Sequence, residues 1–336
     1  LVQKYLENKP LLSGNKMNEF EIRFGTNPRV GKPVNRIDYE NVIKYIMSCG
    51  FETQNKDGNN MLRMTNEFID KRTGTTRMSN IRAELVGDDV IKEYCIHNSL
   101  QKIIDMASNN ADKLKFTQKM YANDKNGERL NPINVEQYNL RVAYQTENDF
   151  NIYSNIAKNI IQKWSESKKV YRLINRVRFY HKKYPIYIDV SIVKSSSKKN
   201  KQYVPHYTIQ ESNVFNNIEN YEIEMEVNNN SVGVGSDYDT SNKLTASIKK
   251  VIRIIMSGMQ NTKFPITYTE QKEIINEYLS MVHGNEIPKF VSPKHFIGPS
   301  SYTLQIENVV DENDSNIPNI NNKYCVTDKA DGERRF

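Results

Sequence analysis

Tyr221-Glu222-Ile223-Glu224-Met225-Glu226-Val227 alternates apolar and acidic residues without a break. A period of two belongs to a strand with one dry face and one polar face. On a strand, Glu222, Glu224 and Glu226 project from the same face, each roughly 7 Å from the next. On a helix they would scatter around the axis and leave no apolar stripe. Glu is a poor strand former, and like charges in a row repel, so a cationic neighbour is expected opposite them. Taken alone, the segment reads as readily as an amphipathic strand with its glutamates in water.

A second segment changes that balance. Glu19-Phe20-Glu21-Ile22-Arg23-Phe24-Gly25 has the same alternation, with Glu19, Glu21 and Arg23 on one face and Phe20, Ile22 and Phe24 on the other. If the two strands lie side by side, five carboxylates converge. An oxygen-rich cluster of that kind suits a hard divalent cation such as Mg²⁺ or Mn²⁺.

The 336 residues allow two domains, and a 38% hydrophobic content supplies a core. No apolar run approaches the roughly 20 residues of a membrane span, and no signal-peptide pattern opens the chain. The three cysteines, Cys49, Cys95 and Cys325, are far apart, with neither zinc spacing nor a disulfide framework, which fits a reducing compartment. A net charge of +7 favours polyanionic partners.

Between Phe51 and Val193 the chain reads mostly as short alternating segments joined by polar turns: Met61–Asp70, Arg77–Val86, Val90–Ile96, Lys113–Tyr121, Tyr138–Glu147, Tyr171–His181 and Tyr184–Val193. Tyr203–Gln210 and Glu219–Val227 complete the set. Helical spacing predicts a helix after Asp38 (Val42, Ile43, Ile46, Met47), another over Asn151–Ser165, and two more over Lys243–Met259 and Gln271–Val282. Asn228–Asn242 is Asn/Gly/Ser-rich and reads as a linker. Ser301–Asn308 and Lys323–Thr327 read as strands. Many strands with short connections point to an antiparallel sheet that closes on itself, within a mainly β chain with flanking helices.

The polar faces are unusually charged. One group of strands offers Glu; another offers Lys115, Lys119, Arg172, Arg176 and Arg178. Each cationic strand alone reads as a solvated face. A closed barrel could turn both signs inward, where they balance, and its lumen would hold a metal and a phosphate chain.

The two acidic strands resemble the paired glutamate motifs of the triphosphate tunnel metalloenzymes, which include the RNA triphosphatases of fungi, protozoa and large DNA viruses. The resemblance covers residues 1–237 and implies a closed antiparallel eight-stranded tunnel. The later Lys329-Ala330-Asp331-Gly332-Glu333-Arg334 resembles the nucleotidyl-lysine motif of mRNA guanylyltransferases and polynucleotide ligases. That order is the one found in capping enzymes of poxviruses, African swine fever virus and giant viruses, and the Asn/Lys/Ile-rich composition looks most like the mimivirus type. Residues 238–336 would then be linker helices followed by a truncated start of a guanylyltransferase domain.

What the resemblance implies can be placed by residue. Glu19, Glu21, Glu222, Glu224 and Glu226 match the acidic motifs, of which some bind the metal, directly or through water, and one orients the attacking water; the resemblance does not assign these roles among the five. Arg176, Arg178 and Asp189 match the strands that hold the triphosphate. Arg77, Lys115, Lys119 and Arg141 are further candidates for the phosphates. Lys329 matches the lysine that carries GMP, although the motifs that would follow it are not in this sequence, so no GMP adduct is expected from this chain. The implied activity is metal-dependent release of the γ-phosphate from 5′-triphosphate RNA, with nucleoside triphosphates as further substrates and GTP as a partner of the full-length protein only. The implied location is the virion or the host cytoplasm. Two rival readings remain: a tunnel hydrolase acting on free nucleotides or polyphosphate, and a non-catalytic barrel that binds polyanions or RNA.

Overall fold

In a computed structural model, the described residues are 1–8, 16–26, 32–70, 72–106, 113–200 and 202–284, followed by 288, 291–292, 295–296, 304–309 and 319–321. They belong to two compact units, Leu1–Gln271 and Lys272–Phe336.

The first unit opens with a short helix α1 (Val2–Glu7) and strand β1 (Lys16–Phe24). Helix α2 (Arg36–Ser48) starts at a capping box, Asn35 accepting from the Asp38 amide and Asp38 from the Asn35 amide. A two-residue strand β2 (Glu52–Thr53), then β3 (Asn59–Ile69) and β4 (Thr76–Val86) follow. Helices α3 (Asp88–His97) and α4 (Leu100–Met106) come next, then β5 (Leu114–Tyr121), β6 (Ile133–Val135) and β7 (Leu140–Phe150). After α5 (Asn155–Gln162) come the long strands β8 (Lys169–His181) and β9 (Tyr184–Ser195). A small hairpin, β10 (Lys198–Lys199) with β11 (Gln202–Tyr203), leads to β12 (Asn220–Val227) and then α6 (Ser241–Gln260).

The principal sheet runs β1-β12-β9-β8-β3-β4-β5-β7, and β1 also pairs with β7. That last pairing closes eight antiparallel strands into a barrel, leaving β2 and β6 as short additions on its wall. Closure removes the unpaired edges that an open sheet would expose.

Period-two alternation turns alternate residues outward, and those residues are apolar. On one side Phe20, Ile22, Ile188, Val190, Ile223 and Met225 are buried beneath α2 and α6, whose Val42, Ile46, Leu244, Val251 and Ile255 belong to the same core. Gly258 of α6 lies so close to α2 that a Cβ there would stand 2.7 Å from the Cα of Val42. On the other side Leu62, Met64, Leu85, Phe116 and Tyr171 share a second core with Tyr94 and Leu100 of α3 and α4, and with Trp164 just after α5. The opposite face of every barrel strand lines the lumen. There, Met61, Ile174 and Val193 form a small apolar cluster with Val86, and most other positions are charged.

Several expectations change. Val90–Ile96 is helical, because Val90, Ile91 and Tyr94 bury one stripe at helical spacing and Asp88 and Asp89 occupy the first turn. Of Tyr203–Gln210 only Tyr203 lies in a strand, the end of β11, and His206 makes a single bridge to Lys169; the chain then turns, with Ser212 Oγ donating to the Ile209 carbonyl at 2.6 Å. Residues 306–308 form a 3₁₀ turn rather than a strand end. Residues 301–303, Lys323–Thr327 and the motif around Lys329 lie outside the described residues.

Helix α7 (Tyr268–His283) carries the chain into the second unit. In that unit Tyr278 stacks on Phe296 with ring centres 5.5 Å apart, and His283 Nε2 lies 3.0 Å from the His295 carbonyl oxygen. No described helix is long and apolar enough to cross a membrane.

Candidate active site

The two acidic strands are neighbours. In the antiparallel register of β1 and β12, Glu21 faces Glu226 and Arg23 faces Glu224. All lie on the lumen face, so the repulsion among the glutamates has to be met inside the barrel. Arg23 meets part of it from within β1, its Nε 2.8 Å from Glu224 and 3.4 Å from Glu21, and its Nη2 3.5 Å from Glu222.

Strand β8 supplies the rest, one cation for each glutamate of β12. Arg172 donates to Glu222. Arg176 donates through Nη2 to Glu224 at 2.7 Å, and its Nη1 lies 3.1 Å from Asp189. Arg178 holds Asp189 with two 2.7 Å hydrogen bonds and also donates to Glu226. Two strands round the barrel from β1, Lys119 of β5 places its Nζ 2.7 Å from Glu19 and 2.9 Å from Glu21. A second network, on β3, β4 and β7, links Arg63 to Glu84 and Arg82 to Glu147, the latter at 3.0 Å.

These neighbours divide the carboxylates. Burial alone pushes a carboxyl group up. At Glu224 burial is outweighed by Arg176 and Arg23, and the group is held at about 2, fully ionised. At Glu19 burial wins over Lys119, with Glu147 and Glu21 adding repulsion, and the group is pushed up to about 8. Burial also raises Glu226, against Arg178. Lys119 is raised because Glu19 and Glu21 outweigh its own burial.

The lumen encloses a cavity of about 790 Å³. Seven cations line it (Arg23, Arg63, Arg82, Lys119, Arg141, Arg172 and Arg176) against four carboxylates, Glu19, Glu21, Glu147 and Glu224. Several buried donors have no hydrogen-bond acceptor, among them Arg82 Nε, Arg172 Nε and Thr26 Oγ1. Unmatched buried donors and surplus positive charge are what an anion with many oxygens would satisfy.

For a cation, the donors available are all carboxylate oxygens, the hard set that Mg²⁺ and Mn²⁺ prefer. Glu19 and Glu21 converge on one positive point, the Lys119 ammonium, which lies 2.7 Å from Glu19 Oε2 and 2.9 Å from Glu21 Oε2 where a metal ion could replace it. These residues fit a divalent ion. Among the described residues no three His, Cys, Asp or Glu side chains group as metal ligands, because Glu222, Glu224 and Glu226 are each turned toward an arginine.

The structure thus gathers Glu19, Glu21, Glu222, Glu224, Glu226, Arg176, Arg178, Asp189 and Lys119 into one connected network. Arg141 lines the cavity near its rim, its Nη2 donating to Tyr121 Oη at 2.9 Å. Two expected residues are not brought in. Arg77 is 57% exposed and lies 3.3 Å from Asp70 near the tip of the β3–β4 hairpin. Lys115 is exposed, opposite Glu84 in register but off the cavity wall. Conversely, Arg63 and Arg82 line the cavity although the sequence did not single them out. Their signal was the alternation within Met61–Asp70 and Arg77–Val86, which shows two faces without showing which one turns inward.

No family model matches the chain. Over 118 residues, 35% of this chain, the sequence is 32% identical to a protein of Acanthamoeba polyphaga mimivirus described as a probable mRNA-capping enzyme; the match spans only 8% of that protein's length. Among solved structures, two crystal forms of the mimivirus capping enzyme triphosphatase align with 76% of this chain and 93% of theirs. Their identities are 18% and 20%, and their TM-scores 0.44 and 0.45. An RNA triphosphatase of S. pombe, Pct1, aligns with 77% of this chain and 87% of its own, at 12% identity and a TM-score of 0.34.

Proposed function

We propose that this chain is a metal-dependent 5′-triphosphatase of RNA, releasing the γ-phosphate as the first step of mRNA capping and hydrolysing nucleoside triphosphates as well. The observation that carries the proposal is the charge distribution of one enclosed lumen: a surplus of arginine and lysine beside a focused pair of carboxylates. The relative described as a probable mRNA-capping enzyme supports the capping context.

Phosphoryl transfer needs positioning and charge neutralisation more than covalent help. Glu19 and Glu21, with Glu226 opposite Glu21, would hold the divalent cation. A bound Mg²⁺ or Mn²⁺ would supply positive charge against the γ-phosphate oxygens. Arg172 and Arg176 bind and orient the phosphate chain through donors now shared with Glu222 and Glu224. Lys119 releases the carboxylates it bridges and takes a phosphate oxygen. Glu224, held ionised by Arg176 and Arg23, accepts a hydrogen bond from the attacking water and aligns it. Closure of the barrel keeps bulk water away from these charges and so strengthens each interaction.

In a longer protein, Lys329 would carry GMP from GTP as a phosphoamide, and the work would take place in the cytoplasm of an infected host or in the virion. Phosphate release from triphosphate-ended RNA, measured with Mg²⁺, with Mn²⁺ and with chelator, tests the main reading. Glu21→Ala and Glu224→Ala should each abolish release while circular dichroism stays unchanged. Full metal-dependent release by both variants would sink the assignment.

A further inference from the structure

The cavity is polarised along the barrel. Its cations crowd the middle, around Arg23, Lys119, Arg172 and Arg176. Toward one end of the barrel the lining changes to Met78, Tyr121, Gln202 and Tyr203. These share one end because of the antiparallel register. Tyr121 is the last residue of β5, Met78 lies near the start of β4, and the β10–β11 hairpin with Gln202 and Tyr203 follows the end of β9. Tyr203 and Met78 are each 39% exposed, a ring and a thioether presented at the rim of a charged cavity. Tyr121 is held in place by the Arg141 hydrogen bond and by Arg129, which lies 4.3 Å from its ring centre.

The opposite end has a pocket of its own, lined by Arg178, Tyr180, Tyr187 and Tyr238, in which Arg178 lies 4.7 Å from the Tyr187 ring centre. There the turn between β8 and β9 lies beside Arg178, which is bound by two hydrogen bonds to the buried Asp189 and also to Glu226. From that side a phosphate chain would first meet Arg178, whose donors are already taken by Asp189 and Glu226.

Resting on the triphosphatase reading, we propose that the substrate enters by the β10–β11 mouth. The first nucleoside of the RNA, or that of a free nucleoside triphosphate, stays at the rim with its base stacked on Tyr203 beside Met78. Its triphosphate runs inward to the arginines. Aromatic faces accept any base, so this mouth recognises a nucleoside without reading its identity, and the Gln202 amide supplies a polar contact.

The test compares kcat/KM on triphosphate-ended RNA, on ATP and on inorganic tripolyphosphate, which has no nucleoside. Tyr203→Ala should lose roughly ten-fold or more on RNA and ATP relative to tripolyphosphate, and Met78→Ala should shift selectivity the same way by less. Tyr203→Phe should restore it. Tyr238→Ala, at a separate pocket beside the opposite end, should leave the selectivity ratio unchanged. Equal effects of Tyr203→Ala on all three substrates would overturn the proposal, as would a selectivity loss that follows Tyr238 instead. If the wild type hydrolyses none of them, the functional reading fails, and binding of a fluorescent ATP analogue still decides the mouth. Weaker binding to Tyr203→Ala than to Tyr238→Ala supports it; equal binding rejects it.

Discussion

Arg178 binds Asp189 in bidentate fashion, Nε to Oδ1 and Nη2 to Oδ2, both at 2.7 Å, with Asp189 2% exposed. The two are Cα partners on adjacent strands, so the pair also ties β8 to β9. Arg176 approaches the same carboxylate at 3.1 Å. One buried acid is thus shared by two guanidinium groups, which Glu224 and Glu226 also neutralise.

Asp189→Ala leaves both arginines short of a partner. Removing one side of a buried ion pair costs roughly 3–5 kcal/mol. Arg178 keeps Glu226 and Arg176 keeps Glu224, so the expected loss is about 3 kcal/mol, read from the midpoint of urea unfolding at constant slope. Asp189→Asn keeps the shape and one acceptor and should lose less.

Arg176→Ala and Arg77→Ala separate the lumen from the surface. Arg176 lies within the network on the cavity wall, and its loss should lower kcat/KM for triphosphate RNA by roughly 10²- to 10³-fold. Arg77, paired with Asp70 at the surface, should change it by no more than about two-fold. Steady-state phosphate release checks both.

Gly258→Ala should loosen the outer helical layer. A methyl group there would meet the Val42 Cα at 2.7 Å, so α6 must move off α2. Overpacking of this kind costs roughly 1–3 kcal/mol, visible as a lower thermal midpoint.

Lys169 should make stability depend on alkaline pH. It is 1% exposed, and its Nζ donates to the Trp164 carbonyl at 2.8 Å. Burial, only partly offset by Glu211, lowers it from 10.5 to about 8. A base depressed in the folded state contributes stability that is present above its unfolded value and is lost as pH falls through the folded one. The window therefore runs from about 10.5 down to about 8, with a size on the order of 3 kcal/mol. Relative to Lys169→Met, the wild type should gain stability as pH rises from about 7 to about 9.5, measured by urea unfolding.

Strand identity was legible because it is local. Alternation along residues 19–24 and 221–227 is a property of consecutive positions, and β1 and β12 lie there. The helix at Asp88–His97 was harder to see, since a short run rich in β-branched residues carries weak periodicity. The five glutamates, Lys119, Arg176 and Arg178 were legible as separate charged rows for the same local reason, while grouping them with Asp189 came from the resemblance.

By itself, the amino-acid order determined which residues share a face, and hence that acids and cations would stand in rows. Only the folded barrel decided which rows meet. The β1–β7 pairing that closes the sheet, the register that sets Glu21 against Glu226, and the inward turn of Arg63 and Arg82 while Arg77 faces solvent all depend on partners far away in the chain. A one-residue slip in any of those pairings would exchange lumen for surface, and no local pattern forbids it. What does forbid it is burial of the two apolar cores outside the barrel, which leaves the charged face no place but the inside.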